Sequence, residues 1–265
     1  MNNDEFKNLI NKSKFFNKST QQEVEIKTTI SQLVKLNIAS GPNIFPFDGW
    51  INYDKDDSNP YFKYLDWQDE AKTRAYILDL MPPHQQELAK FIRTGAKIDF
   101  RVQDINTGFP QHHDNSVDLI YLGQMIEHFN PIYETPKFLN ECFRMLKPGG
   151  VIRITTPDLD VLLQAFLNGE MNKFENEQPD FYKSLDPASQ LALIMYGASG
   201  PNCTWKNYEG HMFLFTKTSM FRAMKDAGFK EIEFYYTPGK SKNEIMAKEV
   251  VDAGLSHSFI CEATK

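Results

Sequence analysis

Two rhythms of hydrophobic and polar positions run along the chain. Short apolar runs, each closed by turn-forming residues, alternate with segments whose apolar positions recur every three or four residues. The first run, Lys35 to Ile38, breaks into the small-residue turn Ala39-Ser40-Gly41-Pro42, and a second, Trp50 to Asp54, follows almost at once. Further strands are expected at Lys97 to Val102, Val117 to Leu122, Val151 to Thr155, Glu231 to Tyr236 and Ser258 to Ala263. A helix is expected to start near Pro82-Pro83, with Leu88, Phe91 and Ile92 on its apolar face. Another runs from Pro136 to Leu146, capped by Thr135, with a buried stripe of Phe138, Leu139, Cys142, Phe143 and Leu146. Lys147-Pro148-Gly149-Gly150 ends it, and a later helix, Thr218 to Ala227, stops at Gly228.

Strands alternating with helices imply an α/β fold, a mostly parallel sheet covered on both faces. The 265 residues read as one domain with a polar helical extension over 1–34. Residues 55–95 and 160–210 are insertions that this core does not need. One feature strains the parallel reading. Only about eight residues separate the first turn from the second strand, too few for the full helix of an ordinary crossover. Either that helix shrinks to a loop or a single turn, or the two strands are not parallel.

Composition narrows the class of partner. A formal net charge of -6, with no dense run of Lys and Arg, argues against a nucleic-acid partner. No apolar run is long enough to span a membrane. The N-terminal stretch carries acids and amides instead of a basic segment followed by an apolar one. Cys142, Cys203 and Cys261 are scattered, fit no metal spacing and read as free thiols in a reducing, cytoplasmic setting. No His, Cys or carboxylate group has metal-ligand spacing along the chain, so no metal is expected.

In open α/β sheets, ligands bind beyond the carboxyl ends of the strands. Small residues Ala39, Ser40 and Gly41 follow strand one, and Asp54 closes strand two as an acceptor for ribose hydroxyls. Asp104 and Ile105 follow strand three and offer an adenine amino group an acceptor beside an apolar surface. Gly123-Gln124 and then Glu127-His128 follow strand four. Singly, each is ordinary: a Gly-Pro is usually a turn, and a lone Asp is usually a cap or a solvated loop acid. Their order, each at a strand end, is the informative feature.

LNIASGPNIFPFDGWINYD resembles the first two motifs of class I S-adenosylmethionine-dependent methyltransferases. VQDINTGFPQHHDNSVDLIYLGQMIEH, LNECFRMLKPGGVIRITTPDL and MFRAMKDAGFKEIEFY resemble further segments of the methyltransferase type 11-like subgroup. The resemblance covers roughly residues 35–54, 97–160 and 211–263. It implies a Rossmann-like doubly wound sheet, mostly parallel with an antiparallel last strand, and S-adenosylmethionine as cofactor, with S-adenosylhomocysteine as product. It further implies that Ala39, Ser40 and Gly41 bracket the methionine part, that Asp54 holds the ribose, and that Asp104 and Ile105 meet the adenine. Gly123 and Gln124 would face the methyl. Two positions depart from the pattern. Ala39 stands where many members have glycine, and Asn37 replaces an acid that meets the methionine amino group, leaving that contact to an amide.

Methyl transfer to an alcohol needs help with a proton, for which His is suited near neutral pH. His128, soon after strand four, and His211, at the end of the second insertion, are the catalytic candidates; His112 and His113 read as surface-loop residues. Tyr196, Trp205 and Tyr208 are substrate-binding candidates, because insertions at the active-site end commonly form lids, and both insertions are expected to cap the acceptor pocket. The acceptor implied is a small molecule, first a sugar hydroxyl of surface-carbohydrate synthesis, second a small phosphorylated amine. Two rivals stand beside this reading. A nicotinamide enzyme needs three spaced glycines and a later acid, which Gly41, Gly49 and Asp54 do not supply. A non-catalytic methyltransferase-like binding module rests on Asn37 and Ala39 alone.

Overall fold

A computed structural model of the chain describes residues 33–41, 45, 49–55, 99–178, 180–197, 210–250, 252 and 256–265. Its sheet contains β1 (Lys35–Ile38), β2 (Trp50–Asp54), β3 (Asp99–Val102), β4 (Val117–Gly123), β5 (Leu146–Pro157), β6 (Lys230–Tyr235) and β7 (Ser258–Thr264). Their spatial order is β3-β2-β1-β4-β5-β7-β6. Every pair is parallel except those of β7, which runs antiparallel to both β5 and β6. The Rossmann-like sheet expected from the sequence is present. The short connection between β1 and β2 does not prevent parallel pairing, since Lys35 opposes Trp50 and Ile38 opposes Tyr53. Phe45 in that connection packs its ring 4.8 Å from Trp50 and 5.1 Å from Tyr121, covering the sheet there.

The central strands read as continuous apolar runs because both of their faces are covered. In β4, Ile120 and Leu122 join Leu36, Ile38 and Ile152 in one core. That core is closed by Phe138, Leu139 and Cys142 of α1 (Glu134–Met145) and by Met220 and Met224 of α4 (Lys217–Asp226). On the opposite face Leu119, Tyr121, Trp50 and Val151 pack with Phe45 and with Met246 of α5 (Glu244–Glu249). A third cluster belongs to the second insertion. There Leu162 and Ala165 of α2 (Leu159–Leu167) and Ile194 of α3 (Pro187–Met195) enclose Met171, Phe174, Tyr182 and Leu214. Burying one such side chain contributes about 1.5–3 kcal/mol.

Several boundaries differ from those expected. α1 begins at Glu134 without a side-chain cap from its flanking residue, so Thr135 is a buried helix residue instead of its cap. The turn before it is closed by Asn130, whose Oδ1 accepts from the amides of Ile132 and Tyr133. Pro136 is harmless there because the first-turn amides have no intrahelical acceptor. The Lys147-Pro148-Gly149-Gly150 segment is the start of β5. Gly150 is required there, since a Cβ would lie 2.9 Å from the carbonyl oxygen of Lys147 and 3.0 Å from that of Asp118. α4 starts one residue early, held by a reciprocal cap between Thr216 and Ser219. α5 has no counterpart in the sequence reading. Cys142 and Cys261 are buried free thiols, and Cys203 lies outside the described residues. So do residues 1–32 of the N-terminal extension and most of the first insertion, including the helix expected near Pro82-Pro83. Among the described residues, no helix is long and apolar enough to cross a membrane.

Candidate active site

From β1 the sheet grows in opposite directions, toward β2 on one side and β4 on the other. In open α/β sheets such a reversal marks where ligands bind, in a crevice beyond the carboxyl ends of the flanking strands, here β1 and β4. The backbone turns sharply at its rim. Ala39 and Gly41 after β1, and Gln124 after β4, take φ of 52°, 49° and 52°. For Ala39 and Gln124 this left-handed conformation is a local cost, the kind that persists where surrounding structure enforces it. The enforcing contacts are on hand. The Ser40 amide donates to the carbonyl of Tyr53 at 2.9 Å, and the Gln124 amide donates to the carbonyl of Thr155 at 2.9 Å.

The tips of β1 and β2 meet directly, because the Gly41 amide donates to Asp54 Oδ2 at 2.6 Å. Burial pushes the Asp54 carboxyl upward, and the amides of Gly41 and Lys55 pull in the other direction. Ser40 is buried, and its Oγ has no hydrogen-bond partner among the described residues. Beside Asp54, the amide of Gln103 donates to the Asp54 carbonyl, which sets Asp104 and Ile105 at the adjoining tip. Asp104 is exposed and accepts from the Asn106 amide at 2.9 Å, capping the short 3-10 turn Ile105–Thr107. Gly123 ends β4, and the Gln124 side chain reaches across to donate to Ser258 Oγ at 3.1 Å. Asn37 also bonds within the sheet. It is buried within β1, and its side-chain N–H donates to Asn52 Oδ1 at 2.9 Å, a bond between strands.

Beyond β4 the chain makes a 3-10 turn, Ile126–His128. Glu127 is 1% exposed; its Oε2 accepts from Thr156 Oγ1 at 2.9 Å, and its Oε1 has no partner among the described residues. Burial pushes its carboxyl up to about 7, against the pull of its own backbone amide and of the Thr156 hydroxyl. The segment carrying His211 is fastened to the same turn. The amides of Met212 and Phe213 donate to the Glu127 carbonyl at 2.8 and 3.1 Å. The His128 and His211 rings meet edge to face at 5.0 Å, and Glu127, His128 and His211 bring their donor atoms within 4.8 Å of one another. Burial and then the charge of His128 push His211 down to about 4, against the pull of the Met195 and Ile194 carbonyls. At neutral pH its ring is an uncharged base. The two histidine candidates therefore share one place, and Glu127, which the sequence reading set after strand four without giving it a role, joins them. Its signal was modest: an acid beside His128, directly after a buried strand.

Other candidates fall elsewhere. Tyr196 is 70% exposed, but its carbonyl accepts from the His211 amide at 3.1 Å, which sets it beside the cluster. Trp205 and Tyr208 lie outside the described residues. His112 is not a surface-loop residue. It is buried, and its Nε2 lies 2.9 Å from the Tyr53 hydroxyl. His113 is exposed as expected.

Residues 61–154 match the methyltransferase domain family, a segment that includes β3, β4, α1 and most of β5. Over 69 residues the chain is 38% identical to a probable S-adenosylmethionine-dependent methyltransferase of Mycolicibacterium smegmatis, covering 23% of this chain. The match spans 26% of that relative's length. Among solved structures, the chain is similar to a methyltransferase from Archaeoglobus fulgidus, at TM-score 0.44 and 11% identity over 92% of this chain and 93% of that one. It is also similar to one from Methanosarcina mazei, at TM-score 0.44 and 15% identity over 91% and 96%.

Proposed function

We propose that this chain, built around a class I S-adenosylmethionine-dependent methyltransferase domain, binds S-adenosylmethionine in the crevice and methylates a hydroxyl of a small polar acceptor, a sugar first. The observation that carries the reading is the β1–β2 tip, where the Gly41 amide meets the Asp54 carboxylate beside the unpartnered Ser40 hydroxyl. A buried hydroxyl without a partner is costly unless a ligand completes it. Ala39, Ser40 and Gly41 would bracket the methionine part, and Asp54 would accept from the ribose hydroxyls with its remaining lone pairs. Asp104 and Ile105 would take the adenine, with Gly123 and Gln124 near the reacting end. Bound there, the cofactor supplies a methyl carbon already activated by a positively charged sulfur.

What remains for the protein is alignment, exclusion of water, and the acceptor's proton. A hydroxyl must lose that proton, whereas an amine needs only to arrive unprotonated. The cluster of Glu127, His128 and His211 favours the hydroxyl, since an uncharged imidazole is in place to handle a proton. The second insertion, with Tyr196 beside His211 and with Trp205 and Tyr208, would cap the acceptor. The buried thiols of Cys142 and Cys261 suit a cytoplasmic setting.

Titration calorimetry with S-adenosylmethionine, followed by turnover to S-adenosylhomocysteine over a panel of sugars and amines, tests the reading. Asp54→Asn weakens cofactor binding about tenfold to a hundredfold, the worth of one or two hydrogen bonds to a charged group. His211→Ala leaves that affinity unchanged and lowers turnover by roughly 10²–10⁴-fold. Binding of a nicotinamide dinucleotide without S-adenosylmethionine binding overturns the proposal.

A further inference from the structure

We infer that Glu127, His128 and His211 form a binding site for one divalent transition-metal ion, such as Mn²⁺, Co²⁺ or Zn²⁺, at the acceptor end of the crevice. The donor set is one carboxylate oxygen and two imidazole nitrogens, converging to within 4.8 Å. Two imidazoles with a carboxylate on one side of a site suit such ions, and small rotations bring each donor to the usual distance of about 2.0–2.2 Å. Two independent features point to a ligand. Glu127 Oε1 is buried without a partner among the described residues, and so is His211 Nδ1. Unpartnered buried polar atoms are uncommon, and two in one cluster are satisfied together by a single cation.

The surroundings have the form that ligand-orienting contacts take around metals. Thr156 fixes the other oxygen of Glu127, and the carbonyls of Met195 and Ile194 lie against the His211 ring. The two amide bonds from Met212 and Phe213 to the Glu127 carbonyl lock the His211 segment to the turn that bears the other two donors. Sequence spacing hid the arrangement, because His211 joins a pair more than eighty positions earlier.

Three protein ligands leave coordination positions open. Resting on the methyl-transfer reading, we assign one of them to the acceptor oxygen. The ligated hydroxyl then gives its proton to solvent, as metal-bound water does near neutral pH. Its lone pair forms the new C–O bond while the C–S bond breaks and returns its electrons to sulfur. The cation thus does for the acceptor what a free histidine base would otherwise do.

The test uses the full chain, freed of metal by chelation and titrated with Co²⁺ alone, followed by visible absorption. Wild-type protein takes up one equivalent with ligand-field bands from nitrogen and oxygen donors. Glu127→Gln, close in shape to the native residue, and His211→Ala each weaken uptake by at least about a hundredfold, while His113→Ala binds as wild type. Circular dichroism melts verify that the variants are folded. Absence of stoichiometric uptake by the wild type, or uptake retained in both Glu127→Gln and His211→Ala, overturns the site. In turnover assays, chelation silences methyl transfer and Mn²⁺ restores it, while calorimetric cofactor affinity stays constant. Undiminished turnover by metal-free protein overturns the assignment of the acceptor oxygen. One equivalent of Co²⁺ bound by a chain that does not bind S-adenosylmethionine supports the metal site and overturns the methyl-transfer reading.

Discussion

Ala39 pays a backbone cost at the rim of the crevice. An L-residue in the left-handed region sits about 1–2 kcal/mol above its preferred conformation, and Ala39 is held there at φ 52°. Glycine has no such penalty, although it loses more freedom on folding. Ala39→Gly therefore changes stability by less than about 1 kcal/mol, whereas the β-branched Ala39→Val costs about 2 kcal/mol or more; urea unfolding distinguishes them. The sequence displayed alanine where a glycine was expected, but the reason for a glycine there is a dihedral angle that composition does not record. His112 makes a similar point about burial. Burial, and then the charges of Arg101 and Arg144, hold its ring below the ordinary histidine range, so protonation favours the unfolded chain. Its contribution is intact above about pH 6.5, the unfolded value, and is lost as pH falls through the window below it. The difference in unfolding free energy between wild type and His112→Asn should be flat from pH 8 to 7 and shrink progressively toward pH 5. A difference independent of pH would mean that the ring is not buried neutral.

At the scale of elements, most of the strands and two of the helices were legible because each carries its own signal. β4 is an apolar run, α1 a stripe at helical spacing, and α4 a capped helix ending at Gly228. The segment joining β6 to β7 was not legible, and the reason is long-range charge. Arg153, fully buried in β5, is gripped by both oxygens of Asp252 at 2.7 and 2.6 Å and by Glu262 of β7 at 2.9 Å. The Arg153–Asp252 bond joins residues 99 positions apart, a separation at which no local pattern operates. Lys35 of β1 repeats the device. It is buried, pairs with Glu249 of α5 at 2.6 Å, and lies over the Trp50 ring. These pairs bind the α5 segment to the face of the sheet opposite α1 and α4. Taking one partner away strands the other as an unpaired buried charge, so Arg153→Met should cost about 3–5 kcal/mol, read as a lower urea midpoint. Arg153→Lys should not rescue it, since an ammonium cannot reproduce the two-pronged grip on Asp252. The candidate site followed the same division. Residues at strand tips could be read from order along the chain. The meeting of His211 with Glu127 and His128 required the second insertion to fold back, and that rests on backbone bonds made by Met212 and Phe213.

For the whole molecule, the central fact is that β1 and β4 are neighbours from which the chain departs in opposite directions. The proposed cofactor site is therefore shared among strands whose mutual placement exists only in the folded sheet. Ser40, Gly41 and Asp54 come together through the β1–β2 register, and Gln124 is set by its bonds to β5 and to Ser258 of β7. A molecule that binds this assembly has no comparable site on the unfolded chain, so its binding free energy adds to the stability of the fold. At a concentration of S-adenosylmethionine one hundred times its dissociation constant, that addition is about 2.7 kcal/mol. In a protein of this size each kcal/mol moves the midpoint by roughly 2–4 °C, so thermal unfolding should rise by about 5–10 °C. Asp54→Asn at the same ligand concentration should lose about half of the increase or more, without a matching loss in the ligand-free melt. A nicotinamide dinucleotide should give no increase, since the turn after β1 lacks the glycines that its pyrophosphate needs. An equal rise in Asp54→Asn would mean that the ligand is held somewhere other than the β1–β2 tip.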